Sequence, residues 1–185
     1  MTPAPVLLVT GPPGSGKSTV AWLVADRFEQ AVCLESDWFW TTIVRGHVLP
    51  WLAEADVQNR TVLRACAAAA AVMAVGGYTV VVDGIVVPGH IALFADELGR
   101  VGADTHYVVL RPSLEVALER AMSRVDDERV PGHPALVAEE PIRHIWQQFS
   151  ALGPYERHVV DTSALGPDDT AALVWTRFVQ GTDRL

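Results

Sequence analysis

The residues between positions 11 and 19 combine glycine, lysine and hydroxyl side chains in an order that could bind phosphate. They read Gly11-Pro12-Pro13-Gly14-Ser15-Gly16-Lys17-Ser18-Thr19 and fit the pattern G-x-x-x-x-G-K-[ST] at every fixed position. Small residues allow successive backbone N–H groups to turn inward around a phosphate, and the dipole of a following helix favours the same negative charge. In such a loop Lys17 would reach the β- and γ-phosphates, and the Ser18 hydroxyl would bind Mg²⁺. We therefore predict that residues 11–19 bind ATP.

Lys17 is the one lysine among 14 basic residues, and all the others are arginine. A general bias against lysine is the background interpretation, and a plain glycine-rich turn is the alternative for the motif. Neither explains why the single lysine stands where an ammonium has a specific task that the wider, planar guanidinium of arginine performs poorly. We expect Lys17→Ala to abolish nucleotide turnover.

Asp83 ends an apolar segment that is predicted to be a buried strand, and Gly84 follows it. In open α/β sheets ligands bind at the carboxyl ends of the strands. A carboxylate at that edge can hold Mg²⁺, directly or through water, together with Ser18. The alternative is that Asp83 caps the next turn and that Gly84 provides its flexibility.

Apolar, β-branched runs alternate with helix-length segments along the chain. Strands are predicted at residues 6–10, 31–35, 78–83, 105–110 and 158–161. Helices are predicted at residues 18–29, 57–75, 88–99, 113–124, 135–150 and 168–180. Strands that are buried on both faces and separated by helices indicate a parallel sheet in a three-layer α/β fold. Residues 1–185 are expected to form one domain.

The composition limits the partners that the chain can have. Its formal charge is −8, which argues against nucleic acid or an anionic membrane as the main partner. The apolar stretch 65–82 is interrupted by two glycines, so we predict a helix and a strand there rather than a membrane span. Cys33 and Cys66 are predicted to be buried free thiols, and the first residues do not resemble a signal peptide, which together favour the cytoplasm.

With these motifs the chain resembles the P-loop small-molecule kinases, including chloramphenicol phosphotransferase-like, zeta-toxin-like and gluconate-kinase-like ATP-binding proteins. The segments Gln58 to Val62, QNRTV, and Val80 to Gly84, VVVDG, are also similar to ATP-binding proteins of this type. The resemblance implies a five-stranded parallel sheet of order 2-3-1-4-5 with helices on both faces, a small arginine-bearing lid, and ATP and Mg²⁺ as cofactors. It also places Thr162 and Ser163, after the last strand, where relatives surround adenine.

Asp37 follows the second predicted strand directly. In the antibiotic-phosphorylating and toxin-type members an aspartate at this place accepts the proton of the attacking hydroxyl, so the resemblance implies that Asp37 is the catalytic base. A carboxylate suits the task, because the hydroxyl must be oriented in line and must lose its proton during transfer. Aspartate is also a preferred helix N-cap, and this alternative remains open. Glu35 is the reserve candidate.

The resemblance places the lid at residues 120–134. Arg120 and Arg124 are four residues apart and therefore share a helix face, and Arg129 follows in the loop. Guanidinium groups bind phosphate oxygens bidentately. We expect Arg124 and Arg129 to contact phosphate in catalysis and Arg120 to contact the nucleotide. Acidic residues at 126–128 leave open the alternative of a surface salt-bridge cluster.

The resemblance places the acceptor side of the site at residues 37–60. The aromatic residues crowded into this segment are Trp38, Phe39, Trp40 and Trp51. Aromatic rings there would stack on a ring or a flat apolar substrate, or would pack a cap onto the core. Asn59 and Arg60 could hydrogen-bond the acceptor, and Gly84 is expected beside it. The low number of cationic groups argues against a nucleoside monophosphate, although Arg45 and Arg60 leave that acceptor open.

Together these residues predict an ATP-dependent phosphotransferase that moves the γ-phosphoryl group to a hydroxyl of a small molecule. An antibiotic, a sugar or a nucleoside-like compound fits the acceptor side. One alternative is a toxin-like kinase of a nucleotide sugar. The other is a nucleotide-dependent switch that binds a protein and hydrolyses ATP slowly.

Overall fold

The computed structural model of the protein describes residues 2–123 and 136–185. The strands are β1 (Val6–Thr10), β2 (Ala31–Glu35), β3 (Thr79–Gly84), β4 (Thr105–Leu110) and β5 (Val159–Val160). The helices are α1 (Lys17–Ala25), α2 (Asp37–Thr41), α3 (Asp56–Val75), α4 (Pro88–Val101), α5 (Leu114–Met122), α6 (Glu139–Gln147) and α7 (Pro167–Val179). Short 3₁₀ turns at Ala53–Ala55 and Gly153–His158 precede α3 and β5.

The strands form one parallel sheet in the order β2-β3-β1-β4-β5, which confirms the predicted fold class. β1 lies in the centre, with Val6 beside Val80 of β3 and Thr105 of β4. All strands therefore end at the same edge of the sheet, where the loops after β1, β2 and β3 meet. Residues 11–19, called the phosphate loop below, lie at this edge together with Asp37 and Asp83.

Two apolar layers cover the sheet. On one face α3, α4 and α6 pack on β1 and β3, with Leu63, Phe94 and Ile145 in the buried cluster. On the other face α1 and α7 pack on the sheet, with Val24 and Val174 in the second cluster. Alternate side chains of a central strand point to opposite faces, so the continuous apolar run of β1 contributes to both layers.

The structure corrects the predicted elements in several places. β2 is only half-buried, because it lies at the sheet edge rather than between two strands. α1 ends at Ala25 rather than near position 29, since short turns follow it. β5 is reduced to two residues, and α6 spans Glu139–Gln147 rather than residues 135–150, with Pro141 at the third position of the helix.

The thiols and the helices also bear on the predictions about environment. Cys66 is buried, whereas Cys33 on the edge strand is half-buried, and both are free. Burial is the main cause that raises the pKa of each thiol to about 12. Across residues 2–123 and 136–185, no helix is both long enough and apolar enough to cross a membrane.

Candidate active site

The phosphate loop connects β1 to α1 through glycines in conformations that other residues rarely adopt. Gly14 has φ +79°, and a Cβ there would lie 2.1 Å from the carbonyl oxygen of Ala117 in α5. Gly16 has φ +85° and is the N-cap of α1. The loop can therefore follow this path only with glycine at these positions, and it ends where the N–H groups of α1 are free to face an anion.

Lys17 and Asp83 are buried close together at the carboxyl edge of the sheet. Lys17 is 8% exposed and Asp83 is 5% exposed. Burial raises the pKa of Asp83, while the Lys17 ammonium and the Ser18 hydroxyl lower it, and Asp37 and Glu35 raise it further. The phosphate loop, the end of β3 and the start of α2 are thus within electrostatic reach of one another.

The buried polar atoms at this edge that have no hydrogen-bond partner among the residues that the structure describes include Ser15 Oγ and Asp83 Oδ1. Orphaned polar atoms in a folded protein call for a ligand, an ion or water. Ser18 and Asp83 together offer Mg²⁺ the hydroxyl and carboxylate oxygens that it prefers, with phosphates completing its shell. The described residues contain no cluster of three or more His, Cys, Asp or Glu that could hold a metal ion.

Asp37 is the first residue of α2, and its carboxylate is exposed. Ser36 precedes it at the N-cap, and within the described ranges neither side chain makes a capping hydrogen bond. Because Asp37 does not cap the helix, its carboxylate is free for other contacts. It also lies near enough to Asp83 to raise the pKa of the Asp83 carboxyl group. Glu35, the reserve candidate, accepts a hydrogen bond from Trp22 Nε1 over 3.2 Å.

The acceptor-side aromatic residues divide into buried and exposed members. Trp40 is 9% exposed and packs in the core, and its Nε1 donates to Asn59 Oδ1 over 3.2 Å. Asn59 Nδ2 donates to the Pro50 carbonyl over 2.7 Å. Trp38 is 47% exposed, and Phe39 is half-buried against the core. Trp40 and Asn59 therefore fasten the segment to α3, whereas Trp38 presents its ring to the outside.

A cavity of about 310 Å³ lies beside the phosphate loop. Its walls include Ser15, Gly16 and Thr19 on one side and Arg120, Thr162 and Leu165 on the other. The Arg120 guanidinium donates to the carbonyl oxygens of Thr162 and Ser163 over 3.2 and 3.4 Å. The loop after β5, where the resemblance places adenine, is thus held against this cavity by Arg120.

The remaining predicted residues have different outcomes. Arg124 and Arg129, and most of the lid at 120–134, lie outside the described residues. Gly84 is buried against Ser36, and this packing leaves no room for a Cβ at position 84. Arg60 is exposed near the start of α3. The roles of Arg60 and Gly84 toward an acceptor stay predictions.

Two residues at this edge escaped the sequence prediction. Ser36 is completely buried, and its Oγ has no partner within the described part of the chain. His90, in the first turn of α4, has a buried Nδ1 that also lacks a partner there. The sequence showed that Ser36 follows β2 and that His90 follows β3. That their polar atoms are buried without a partner could be seen only after the fold had brought these loops together.

A protein-family model described as "AAA domain" matches residues 6–152 of the chain. The chain belongs to the AAA domain family. The matched residues include the phosphate loop, Asp37 and Asp83 of this AAA domain. No curated protein sequence is similar enough to count as a relative.

The AAA domain is similar to several solved kinase structures. A sugar kinase from Janibacter sp. HTCC2649 has 23% identity and a TM-score of 0.67, covering 98% of this chain and 99% of its own. The tunicamycin resistance protein of Deinococcus radiodurans has 21% identity and a TM-score of 0.64, covering 95% of each chain. Shikimate kinase from Acinetobacter baumannii, solved with shikimate, has 21% identity and a TM-score of 0.63, covering 96% of this chain and 94% of its own. These likenesses confirm the predicted P-loop kinase fold.

Proposed function

We propose that the protein is an ATP-dependent phosphotransferase that moves the γ-phosphoryl group to a hydroxyl of a small molecule. The observation that carries this proposal is that Lys17, Asp83 and Asp37 converge at one edge of the sheet, and that the Asp37 carboxylate is not used to cap its helix. A nucleotide switch needs the first two groups but has no use for a free carboxylate on the acceptor side. The names of the similar structures support a small acceptor, since they include a sugar kinase and a shikimate kinase.

ATP is positioned by residues of this chain. The phosphate loop and Lys17 bind the β- and γ-phosphates, while the cavity between Thr19 and Thr162 takes the nucleoside. Ser18 and Asp83 would hold Mg²⁺, which neutralises charge on the phosphates when it is bound. Arg124 and Arg129 are proposed to add positive charge from the lid.

Transfer is proposed to proceed in line. The acceptor oxygen forms a bond to the γ-phosphorus as the bond from that phosphorus to the β,γ-bridging oxygen breaks. The hydroxyl proton passes to the carboxylate of Asp37, and ADP leaves with the bridging oxygen. Trp38 and Phe39 contact the body of the acceptor, and Gly84 leaves room beside its reacting hydroxyl.

A screen for acceptor-dependent ADP release tests the proposal. Sugars, aminoglycoside-type and nucleoside-type antibiotics, hydroxy acids and nucleosides are added one at a time with MgATP. Lys17→Ala should abolish release with every compound. Asp37→Asn should keep the Kd for ATP and lower kcat by about 100-fold or more, the usual range for a lost general base. Asp26→Asn, an exposed carboxylate after the other end of α1, is the matched control and should behave like the wild type.

The alternatives give different results in the same experiment. Slow ATP hydrolysis that no acceptor accelerates, and that Asp37→Asn leaves unchanged, would contradict transfer and support the protein-binding switch. Activity that is confined to nucleotide sugars, with growth arrest on expression that Lys17→Ala relieves, would identify the toxin-like kinase. An unchanged kcat in Asp37→Asn with a true acceptor would remove Asp37 as the base.

A further inference from the structure

Arg60 is unusual among the arginines that the structure describes. Only Arg45 and Arg60, of those within residues 2–123 and 136–185, make no hydrogen bond, ion pair or ring contact. Each of the others has a partner: an acidic side chain for Arg64, Arg100, Arg111, Arg143, Arg177 and Arg184, the His158 ring nitrogen for Arg157, backbone carbonyls for Arg120, and the Trp175 ring for Arg27. Both unpaired arginines lie on the acceptor side.

His90 lies on α4, which packs against the α3 helix that carries Arg60, and it has an unsatisfied ring nitrogen. Its Nδ1 is buried without a hydrogen-bond partner in the described structure. Burial is the main cause that lowers the pKa of His90, and the Arg60 guanidinium lowers it further, while Asp56 acts in the opposite direction. A neutral imidazole is therefore held beside a cation. No ion pair joins Asp56 to Arg60 in the described ranges.

The two side chains come from helices whose first turns face the carboxyl edge of the sheet. Arg60 follows Asn59, which is bound to Trp40 three residues after Asp37. His90 follows the β3–α4 loop, whose Val86 is fixed to the end of β1 because its N–H donates to Thr10 Oγ1 over 2.8 Å. The segments that carry Arg60 and His90 are thus tied to α2, which begins at Asp37, and to β1, which leads into the phosphate loop.

We propose that Arg60 and His90 form a subsite for an anionic group, a carboxylate, sulfate or phosphate, that the acceptor carries away from its reacting hydroxyl. An unpaired guanidinium binds an oxyanion with two parallel hydrogen bonds. In the tautomer of His90 that carries its proton on Nδ1, this nitrogen donates a third hydrogen bond to the anion. The hydrogen bond gives a partner to an atom that otherwise has none. The acceptor class is then a hydroxylated organic anion, and this proposal rests on the proposed function.

Matched acceptors test the subsite. Glucose, glucuronate, glucose 6-sulfate and glucose 6-phosphate share a ring and differ in their anionic group, and 4-hydroxyphenylethanol and 4-hydroxyphenylacetate form a second, aromatic pair. We expect kcat/KM for at least one anionic member to exceed that of its neutral partner by at least about tenfold, the factor that corresponds to one hydrogen bond to a charged group. The comparison among the three anions identifies the preferred group.

Arg60→Ala and His90→Ala should each remove this preference, because they lower kcat/KM for the anionic compounds more than for the neutral ones. Arg64→Ala is the matched control, because it removes the same charge one turn further along α3, from a side chain that pairs with Glu97. The proposal is overturned if the neutral compounds are preferred, or if both variants keep the preference for the anion.

A second measurement does not depend on turnover. Sodium sulfate is titrated into protein that is saturated with Mg²⁺ and a non-hydrolysable ATP analogue, while the imidazole resonances of His90 are followed by NMR and assigned with His90→Gln. Sulfate should shift them saturably, and Arg60→Ala, but not Arg64→Ala, should weaken this binding at least about tenfold. The absence of any saturable shift overturns the subsite even if the protein is a kinase. Sulfate binding without acceptor-dependent ADP release would instead contradict the proposed function alone.

Discussion

Ser36 fills the space that a side chain on Gly84 would need. A Cβ on Gly84 would lie 2.2 Å from Ser36 Oγ and 2.9 Å from Ser36 Cβ. The backbone N–H of Ser36 also donates to the carbonyl oxygen of Asp83 over 2.8 Å. The end of β2 is therefore locked to the end of β3, and this contact sets the separation between Asp37 and Asp83.

This packing predicts that Gly84 and Ser36 depend on each other. Gly84→Ala should lower the free energy of unfolding by about 2 kcal/mol, as overpacking of a tight interior does. The exchange Ser36→Gly with Gly84→Ala should recover most of that loss, because the added methyl group then occupies vacated space. Urea denaturation of both single variants and of the double variant gives the coupling. Gly89→Ala is the control, since a Cβ there meets nothing within 4 Å; an equal effect of Gly84→Ala and Gly89→Ala would contradict the packing argument.

Lys17 should affect stability as well as turnover. Burial raises the pKa of Asp83 above its ordinary 3.8, so the folded state binds this proton more tightly, and stability is lost as the pH rises from 3.8 through the folded-state value. Lys17→Met removes the positive charge that lowers this pKa. The variant should therefore lack turnover, and its loss of stability relative to the wild type should be larger at pH 8 than at pH 5.

Urea denaturation at the two pH values measures this effect, and the double variant Lys17→Met, Asp83→Asn provides the control. Because the carboxylate is absent there, the extra loss at pH 8 should disappear. A loss in Lys17→Met that is the same at both pH values would show that the two buried groups are not coupled.

Arg120 should act on the affinity for ATP rather than on the chemical step. Its two hydrogen bonds hold the carbonyl oxygens of Thr162 and Ser163 beside the cavity next to the phosphate loop. Arg120→Ala should raise the KM for ATP by about tenfold, since hydrogen bonds from a charged donor contribute about 1.5–3 kcal/mol. Steady-state kinetics with varied ATP measure the change, and kcat should stay within about twofold. Arg143→Ala, which removes an exposed pair with Glu139, is the comparison; equal KM values for the two variants would refute the assignment.

The last turn of the chain is fastened to the sheet by a buried carboxylate. Asp183 is fully buried, and it contacts His158 Nδ1 over 3.3 Å and the Arg177 guanidinium over 2.5 Å. Asp183→Ala should destabilise the protein by roughly 3–5 kcal/mol, because it leaves the buried His158 and the largely buried Arg177 without their carboxylate partner. Arg184→Ala removes a neighbouring pair with Asp104 that is largely exposed, and it should lower stability by less than about 1 kcal/mol. Thermal and urea unfolding compare the two, and similar losses would show that burial does not control this cluster.

The fold class could be predicted from the sequence, and so could the position of the phosphate loop in the candidate site. Both were predicted from local patterns. One is the alternation of apolar strands with helices, and the other is the phosphate-loop motif with its single lysine. Gly14 and Gly16 show why such a pattern is reliable, because their conformations are required by the loop itself. Asp83 could be located as well, since the end of a buried strand is fixed by the chain around it.

The burial and the contacts of residues 37–60, by contrast, could be seen only in the tertiary structure. Trp38 and Trp40 look alike in sequence, yet one is exposed and the other is buried and bound to Asn59, because the short helix α2 turns them to opposite sides. The burial of the orphaned atoms of Ser36 and His90 depends on contacts between segments that are far apart in the chain. Side-chain burial and hydrogen bonding are set by these long-range contacts, and no local pattern of residues encodes them.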